Sequence, residues 1–177
     1  MTPSITIETH DPQWPALYER ERRTITQALG NLLVRIEHIG STAVPGLGAK
    51  PIIDVITGVA READLDRIVE PLQRIGFEYV PKYETMMPFR RYFRTRPPAS
   101  TQAVNVHVVV VGSDLWNRHL LFRDYLRSHP EVAAEYERLK RELAPRFEDV
   151  NVYAEAKTEF ITAVVGRATA ERASGTD

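Results

Sequence analysis

The feature that most constrains the fold is the segment 103–111, in which valine recurs almost without interruption. β-Branched residues favour strands, and a strand that is apolar at nearly every position is typically covered on both faces. The sequence therefore predicts a central strand of a sheet. Its two polar residues, Asn105 and His107, lie two positions apart and so point to the same face.

Further strands and helices are predicted around this central strand. A helix opens at Asp11-Pro12, where a carboxylate can cap free amides, and runs to about residue 29. Apolar spacing predicts strands at residues 34–39, 51–57, 77–80 and 90–93, and a helix at 61–75. A turn at 97–100 precedes the central strand, and helices follow it at 115–128, from Pro130 to 143, and at 152–170. This order predicts an α+β fold, a mixed sheet flanked by helices, in one domain over 1–172 with a loose tail at 173–177.

Composition narrows the functional classes. Lys and Arg number 23 and Asp and Glu number 24, so the net charge of -1 gives no overall attraction to nucleic acid or anionic membranes. Cysteine is absent, which excludes a disulfide framework, a cysteine nucleophile and thiolate metal ligands. No stretch approaches the roughly 18 uninterrupted apolar residues of a transmembrane helix, and the first residues lack a signal-peptide pattern. We expect a cytoplasmic protein without a membrane partner.

The small-residue segment 40–49 carries the first candidate site, the pair Gly40-Ser41. Glycine lets a backbone approach a ligand closely, and exposed amides beside a serine hydroxyl can hold phosphate oxygens. A long turn without any ligand is the alternative. Lys50 does not make this segment a Walker loop, because the Walker spacing is absent and Pro51 follows the lysine.

Asp54 is the only charged residue in the predicted strand 51–57. A carboxylate there costs free energy unless it faces a cleft, a cation or hydrogen-bond donors, although it could also cap a neighbouring turn. A metal-binding pair of carboxylates on the same face would need an acid at Ile56, and one carboxylate alone is a weak Mg²⁺ site.

His107 is either a hydrogen-bonded core histidine or, with Asn105 beside it, part of a polar cluster that faces a cleft. His38 adds an imidazole only if the fold brings it to the same place. Arginine also recurs through residues 90–96, which suits a solvated edge strand. Three further cations lie on or beside inward helix faces: Arg123, Lys140 and Lys157. Their long side chains either extend past the core to solvent or bring a positive charge to a phosphate or a buried carboxylate.

These residues resemble the signature of the GrpB family. The match includes Ile36-Glu37-His38-Ile39-Gly40-Ser41-Thr42-Ala43-Val44-Pro45-Gly46-Leu47 and Ala49-Lys50-Pro51-Ile52-Ile53-Asp54. It continues through 91–94, 105–109, 122–127 with 129–130, and 135–136 with 139–140, and ends with Tyr153, Lys157, Phe160 and Ile161. The resemblance implies a nucleotidyltransferase-like fold, in which a Gly-Ser loop holds nucleotide phosphates and three carboxylates bind divalent metal such as Mg²⁺. Gly40 and Ser41 match the loop and Asp54 matches the first aspartate. Ile56 stands in place of the second, and His107 lies on the strand where the third is expected.

The leading hypothesis is a nucleotidyltransferase-type pocket that binds a nucleotide or another phosphate-containing ligand, either for a non-standard nucleotidyl transfer or without chemistry. The candidate residues are Asp54 and His107 for catalysis, Asp54 for a metal, and Gly40, Ser41, Lys50, Arg91, Arg123, Lys140 and Lys157 for the ligand. The alternative is a catalytically inactive module that binds a protein partner or a second copy of the chain. The balanced net charge argues against binding of nucleic acid. The arginines of 90–96 are the one feature that favours it.

Overall fold

The sheet has the mixed architecture that the sequence predicts. A computed structural model describes residues 5–97 and 102–174. Its strands are β1 (Arg35–Ile39), β2 (Ile52–Val59), β3 (Glu78–Tyr79), β4 (Arg91–Thr95) and β5 (Ala103–Val110). They form one five-stranded sheet in the order β1-β2-β5-β4-β3. Strands β2 and β5 are parallel, and every other neighbouring pair is antiparallel. The predicted central position of the valine-rich strand is confirmed.

Helices flank this sheet, and the last four of them make up the C-terminal part of the described chain. The helices are α1 (Trp14–Leu29), α2 (Val69–Arg74), α3 (Asp114–Ser128), α4 (Pro130–Leu143), α5 (Val150–Glu155) and α6 (Thr158–Ser174). The predicted α+β class is therefore confirmed. Within residues 5–97 and 102–174, no helix combines the length and apolar character needed to cross a membrane.

Alternation along β2 and β5 separates an apolar face of the sheet from a polar one. Val55 and Val106 pack with Trp14 and Ile25 of α1 in the largest hydrophobic cluster. On the other face, the parallel register places Asp54 beside Asn105 and Ile56 beside His107. Trp116 of α3 covers part of that face through Ile56 and Val109. The polar residues of the two inner strands therefore lie together, under the C-terminal helices.

The helix predicted over residues 61–75 is wrong in its first half. A short 3₁₀ turn occupies Glu62–Asp64, and the α-helix begins only at Val69. Pro71 explains the late start, because proline has no N–H to donate and its ring clashes with the carbonyl four residues earlier unless it lies in the first turn. The apolar spacing was real, since Leu65 and Ile68 are buried, but it does not reveal the helix boundary.

The single helix predicted over residues 152–170 is two helices. Helix α5 ends at Glu155 and α6 begins at Thr158, with the Lys157 N–H bonded to the Ala154 carbonyl at 3.3 Å. Neither proline nor glycine lies at this break, so no local signal predicts it. Of the predicted tail at 173–177, Ala173 and Ser174 belong to α6, while 175–177 lie outside the described residues. Most of the predicted turn at 97–100 also lies outside them.

Candidate functional site

A cavity of about 540 Å³, called here the main cavity, lies between the polar face of the sheet and the C-terminal helices. The segment after β1 forms one wall, and strands β2, β4 and β5 form the floor with Asp54, Tyr92, Asn105 and His107. Helices α3, α4, α5 and α6 and the α5–α6 link close the other sides. The polar residues of the strands and the inward-facing cations of the helical part thus line the same cavity.

The floor of the main cavity is a hydrogen-bonded network around Asn105. Its amide nitrogen donates to Asp54 Oδ1 at 2.6 Å. Its amide oxygen accepts from the Tyr92 hydroxyl at 2.7 Å and from Arg96 Nη2 at 2.8 Å. These partners determine which end of the amide faces which neighbour. Asp54 is therefore held in one orientation by a residue of the adjacent strand.

Gly40 brings the loop after β1 against Asp54. Its φ is +73°, a conformation that L side chains rarely adopt, and a Cβ there would lie 2.7 Å from Asp54 Oδ2. Glycine is thus required twice, once for the backbone conformation and once for the close approach. The next residues, Ser41–Ala43, form one 3₁₀ turn. The predicted Gly-Ser segment therefore borders the cavity directly above the carboxylate.

Two lysines lie near Asp54 without forming an ion pair with it. The Nζ atoms of Lys50 and Lys157 are 5.4 Å and 4.1 Å from the centre of the Tyr153 ring. Neither ammonium group makes a hydrogen bond or salt bridge within the described part of the chain. Burial, with help from Lys50, lowers the pKa of Lys157 to about 8, and burial also lowers the pKa of Lys50. Burial raises the pKa of Asp54, although Asn105 and the cations oppose the rise.

Lys140 of α4 supports the Gly-Ser loop from behind. The residue is 2% exposed, and its Nζ donates to Ser41 Oγ at 2.9 Å and to the Gly48 carbonyl. Burial lowers the pKa of Lys140 to about 7, and nearby Lys157 acts in the same direction. Two donors of the Lys140 ammonium group thus have acceptors in the loop, and one of these hydrogen bonds holds the Ser41 hydroxyl in position.

A second group of polar side chains lies farther along β5. Arg90 Nη1 approaches His107 Nδ1 at 3.3 Å, and the His107 and His119 ring centres are 5.6 Å apart. Burial lowers the pKa of His119 to about 4 and also lowers that of His107, with nearby charges acting in the same direction. Both rings are therefore neutral at neutral pH. Since an arginine only donates, His107 Nδ1 accepts and its proton is on Nε2.

The model of the family described as GrpB protein matches residues 4–167. The chain belongs to the GrpB family. UPF0157 protein BH1888 of Halalkalibacterium halodurans is 37% identical over 94% of this chain and 84% of its own length. The crystal structure of the conserved protein GrpB from Enterococcus faecalis has a TM-score of 0.82 at 33% identity, covering 94% of this chain and 99% of that chain.

A more distant likeness links this GrpB-family fold to Cid1, solved with its short product ApU. The TM-score is 0.48 at 14% identity, over 76% of this chain and 40% of that chain. A likeness at this level says nothing about chemistry, which has to be argued from the residues of the main cavity.

Most of the residues singled out in the sequence line the main cavity of this GrpB-family chain. They are Gly40, Ser41, Lys50, Asp54, His107, Lys140 and Lys157. Arg91 lies elsewhere and pairs with Asp66 at 2.7 Å. Arg123 lies at a second cavity of about 410 Å³, with His38. There its Nη1 donates to Glu37 Oε2 at 2.8 Å and to the His38 carbonyl at 2.9 Å.

Sequence reasoning missed several residues of the main cavity. Arg90, Arg118 and His119 line it together with Tyr83 and Tyr153. Alternation through the predicted strand 90–93 was a usable signal for Arg90, because it puts Arg90 on the same face as Tyr92, which pairs with His107. His119 had no comparable signal, since helical spacing alone does not show which of two neighbouring cavities a side chain enters.

The side chains of the main cavity do not fit a resident divalent metal. Within residues 5–97 and 102–174, no three His, Asp or Glu side chains are grouped so that they could hold one. Ile56 occupies the position beside His107 where a second carboxylate would be needed, and Asp54 is surrounded by cations rather than by further oxygen ligands. The arrangement suits an anion better than a metal ion.

Proposed function

We propose that this GrpB-family chain binds a nucleotide or a related phosphate-containing small molecule in the main cavity. The observation that carries the proposal is charge imbalance: Asp54 is the only carboxylate among the described lining residues, against Lys50, Arg90, Arg118, Lys140 and Lys157. Desolvated cations without a counter-charge are costly, and a multiply charged anion would neutralise several of them at once. A neutral ligand would leave that cost in place.

In the proposed complex, the phosphates lie at the Gly40-Ser41 end of the cavity. The ammonium groups of Lys50 and Lys157 supply mobile donors there, since no protein acceptor within the described residues occupies them. Lys140 keeps Ser41 in place. Asp54 and His107 are the groups available for proton transfer in a non-standard nucleotidyl transfer. The unsuitability for metal favours the second candidate function, a catalytically inactive module that binds a ligand or a partner without transfer.

Isothermal titration calorimetry with ATP, CTP and coenzyme A, each with and without Mg²⁺, tests the proposal. We expect binding of at least one phosphate compound by the wild type and a loss of about tenfold or more in Lys157→Met, because a charged hydrogen bond contributes about 1.5–3 kcal/mol. Arg74→Met is the control, since Arg74 pairs with Glu70 at an exposed site away from the cavity. Absence of binding to all three compounds, or an equal loss in both variants, would contradict the proposal.

Asp54→Asn separates the role of charge from that of metal. If Asp54 held a nucleotide-bound cation, binding would require Mg²⁺ and fall in the variant. We expect instead that affinity without Mg²⁺ is equal or higher in Asp54→Asn, because the substitution removes a negative charge from the anion site. Product analysis by chromatography after incubation with ATP or CTP then decides between nucleotidyl transfer and binding alone.

A further inference from the structure

The far end of the main cavity contains a second cationic group, the Arg90 cluster, made of Arg90, His107, Arg118 and His119. Three different elements supply it, the segment before β4, strand β5 and helix α3. His119 interacts electrostatically with both Arg90 and Arg118, and its ring lies 5.6 Å from that of His107. The cluster therefore brings two guanidinium groups and two imidazoles to one part of the cavity wall.

Arg90 lacks the partners that a buried guanidinium normally has. Its Nε is buried and makes no hydrogen bond, and no salt bridge to Arg90 exists, within the described part of the chain. Its guanidinium lies against the rings of Tyr83 and Tyr92, with centroid distances of 5.7 Å and 5.3 Å. Stacking supplies attraction but no acceptor for the N–H groups.

The carboxylate of Glu84 does not neutralise this cluster. Glu84 interacts with Arg90 at long range only. Its oxygens accept from the Tyr79 hydroxyl and lie 3.6 Å from Arg91 Nε. Arg118 donates to the Thr162 hydroxyl at 2.9 Å, which is a neutral acceptor. The positive charge of the cluster is thus left without an internal counter-ion among the described residues.

We propose that the Arg90 cluster is a second oxyanion subsite, so that the ligand of the main cavity carries two separated anionic groups. Asp54 lies at the phosphate end, beneath Gly40, and the Asn105 amide donates to it there. His107 follows Asn105 by two strand positions, which corresponds to roughly 7 Å along β5. A nucleotide with phosphate at one end and a second phosphate or a carboxylate at the other matches this layout. The inference rests on the proposed function for the identity of the first anionic group only.

Two probes test the subsite separately from the proposed function. The first is inorganic phosphate, followed by the histidine ring resonances in two-dimensional NMR of the full chain. We expect the His107 and His119 rings to shift and those of His38 and His129 to stay in place, because His38 lies at the second cavity and His129 packs on Tyr125. In Arg90→Gln the shifts disappear, whereas in the control Arg74→Gln they remain. Unchanged His107 and His119 resonances in the wild type would overturn the subsite.

The second probe compares AMP with adenosine 3′,5′-bisphosphate by calorimetry. We expect the bisphosphate to bind the wild type about tenfold or more tightly than AMP, and Arg90→Gln to reduce this ratio to about two or less, because the second phosphate loses its donor. Arg118→Gln removes the other guanidinium of the cluster, which is on helix α3, and should also reduce the ratio. An undiminished ratio in both folded variants overturns the subsite. Failure of all nucleotides with preserved phosphate shifts at His107 would instead contradict the proposed function alone.

Discussion

The two cavities of this protein contain similar residue types in opposite electrostatic states. In the second cavity, Arg123 is 8% exposed and bonds to Glu37, Asp124 and a backbone carbonyl. In the main cavity, Lys50, Lys157 and Arg90 have no carboxylate partner within 4 Å among the described residues. Removing one partner of a buried ion pair is costly, so a paired cation is tied to the fold, whereas a desolvated cation without a partner can still bind an anion.

The histidines show the same contrast. His38 in the second cavity stacks on Tyr18 at 4.6 Å, and its Nε2 pairs with the Thr42 hydroxyl at 2.9 Å. Burial holds the pKa of His38 at about 3, with Arg127 and Arg123 acting in the same direction. His119 in the main cavity makes no hydrogen bond within the described residues. Arg123 and His38 in the second cavity therefore have hydrogen-bond partners, whereas the main cavity retains unused donors.

The largest effect on stability should come from Arg123→Met in the second cavity. We expect a loss of about 3 kcal/mol in the free energy of unfolding, because the substitution removes three hydrogen bonds at once, to Glu37 Oε2, Asp124 Oδ1 and the His38 carbonyl. Glu37 then keeps only the more exposed Arg35 as a partner. Urea denaturation measures this loss. Arg74→Met is the control, and we expect it to change the free energy of unfolding by less than about 0.5 kcal/mol. Nucleotide affinity should not change. A reduced affinity in folded Arg123→Met would show that the two cavities are not functionally distinct.

Gly40→Ala should have the next largest effect, at the wall of the main cavity. The new Cβ would lie 2.7 Å from Asp54 Oδ2, in addition to the strain of a φ of +73°. Gly46→Ala is the matched control, because Gly46 has a φ of +78° with nothing within 4 Å of its added Cβ. We expect Gly40→Ala to be about 2 kcal/mol less stable than Gly46→Ala in urea denaturation. Equal stabilities would mean that the loop does not press on Asp54.

The smallest effect, and of opposite sign, is expected for Lys157→Met. Its unpaired ammonium is desolvated, so its replacement should raise stability by about 1 kcal/mol at pH 7 while ligand affinity falls. Lys82→Met is the control, since Lys82 also lies over a ring, that of Tyr83 at 4.9 Å, but is exposed. If Lys157→Met were instead less stable than the wild type, Lys157 would stabilise the fold, as we expect for Arg123.

The stability advantage of Lys157→Met should also depend on pH. The pKa of Lys157 is lowered by burial from 10.5 to about 8 in the folded chain, so the unfolded chain binds more protons between these values. Wild-type stability therefore gains from this lysine as the pH rises through that window. The difference between variant and wild type should be largest near pH 7 and shrink towards pH 10. Denaturation curves at several pH values measure it, and a constant difference would contradict the burial of the charge.

Part of the site could be predicted because its signals are local. Asp54 and His107 are polar residues inside apolar strands, and Gly40 lies in a segment of small residues, so each is visible within a few positions. The start of α2 and the break at Lys157 were mispredicted for different reasons. Pro71 was an available signal that apolar periodicity concealed, whereas the break has no proline or glycine and depends on packing.

Local sequence by itself determined the central valine-rich strand, the helical C-terminal part and the face shared by Asn105 and His107, because strand and helix periodicities act over a few residues. Only the tertiary structure decided which cations are neutralised. Arg123 pairs with Glu37, which lies 86 residues away in the sequence, and Asn105 donates to Asp54, which lies 51 residues away. The strength of a charge pair depends on the distance between the two groups in space and on the exclusion of water. The spacing of the residues along the sequence determines neither of these.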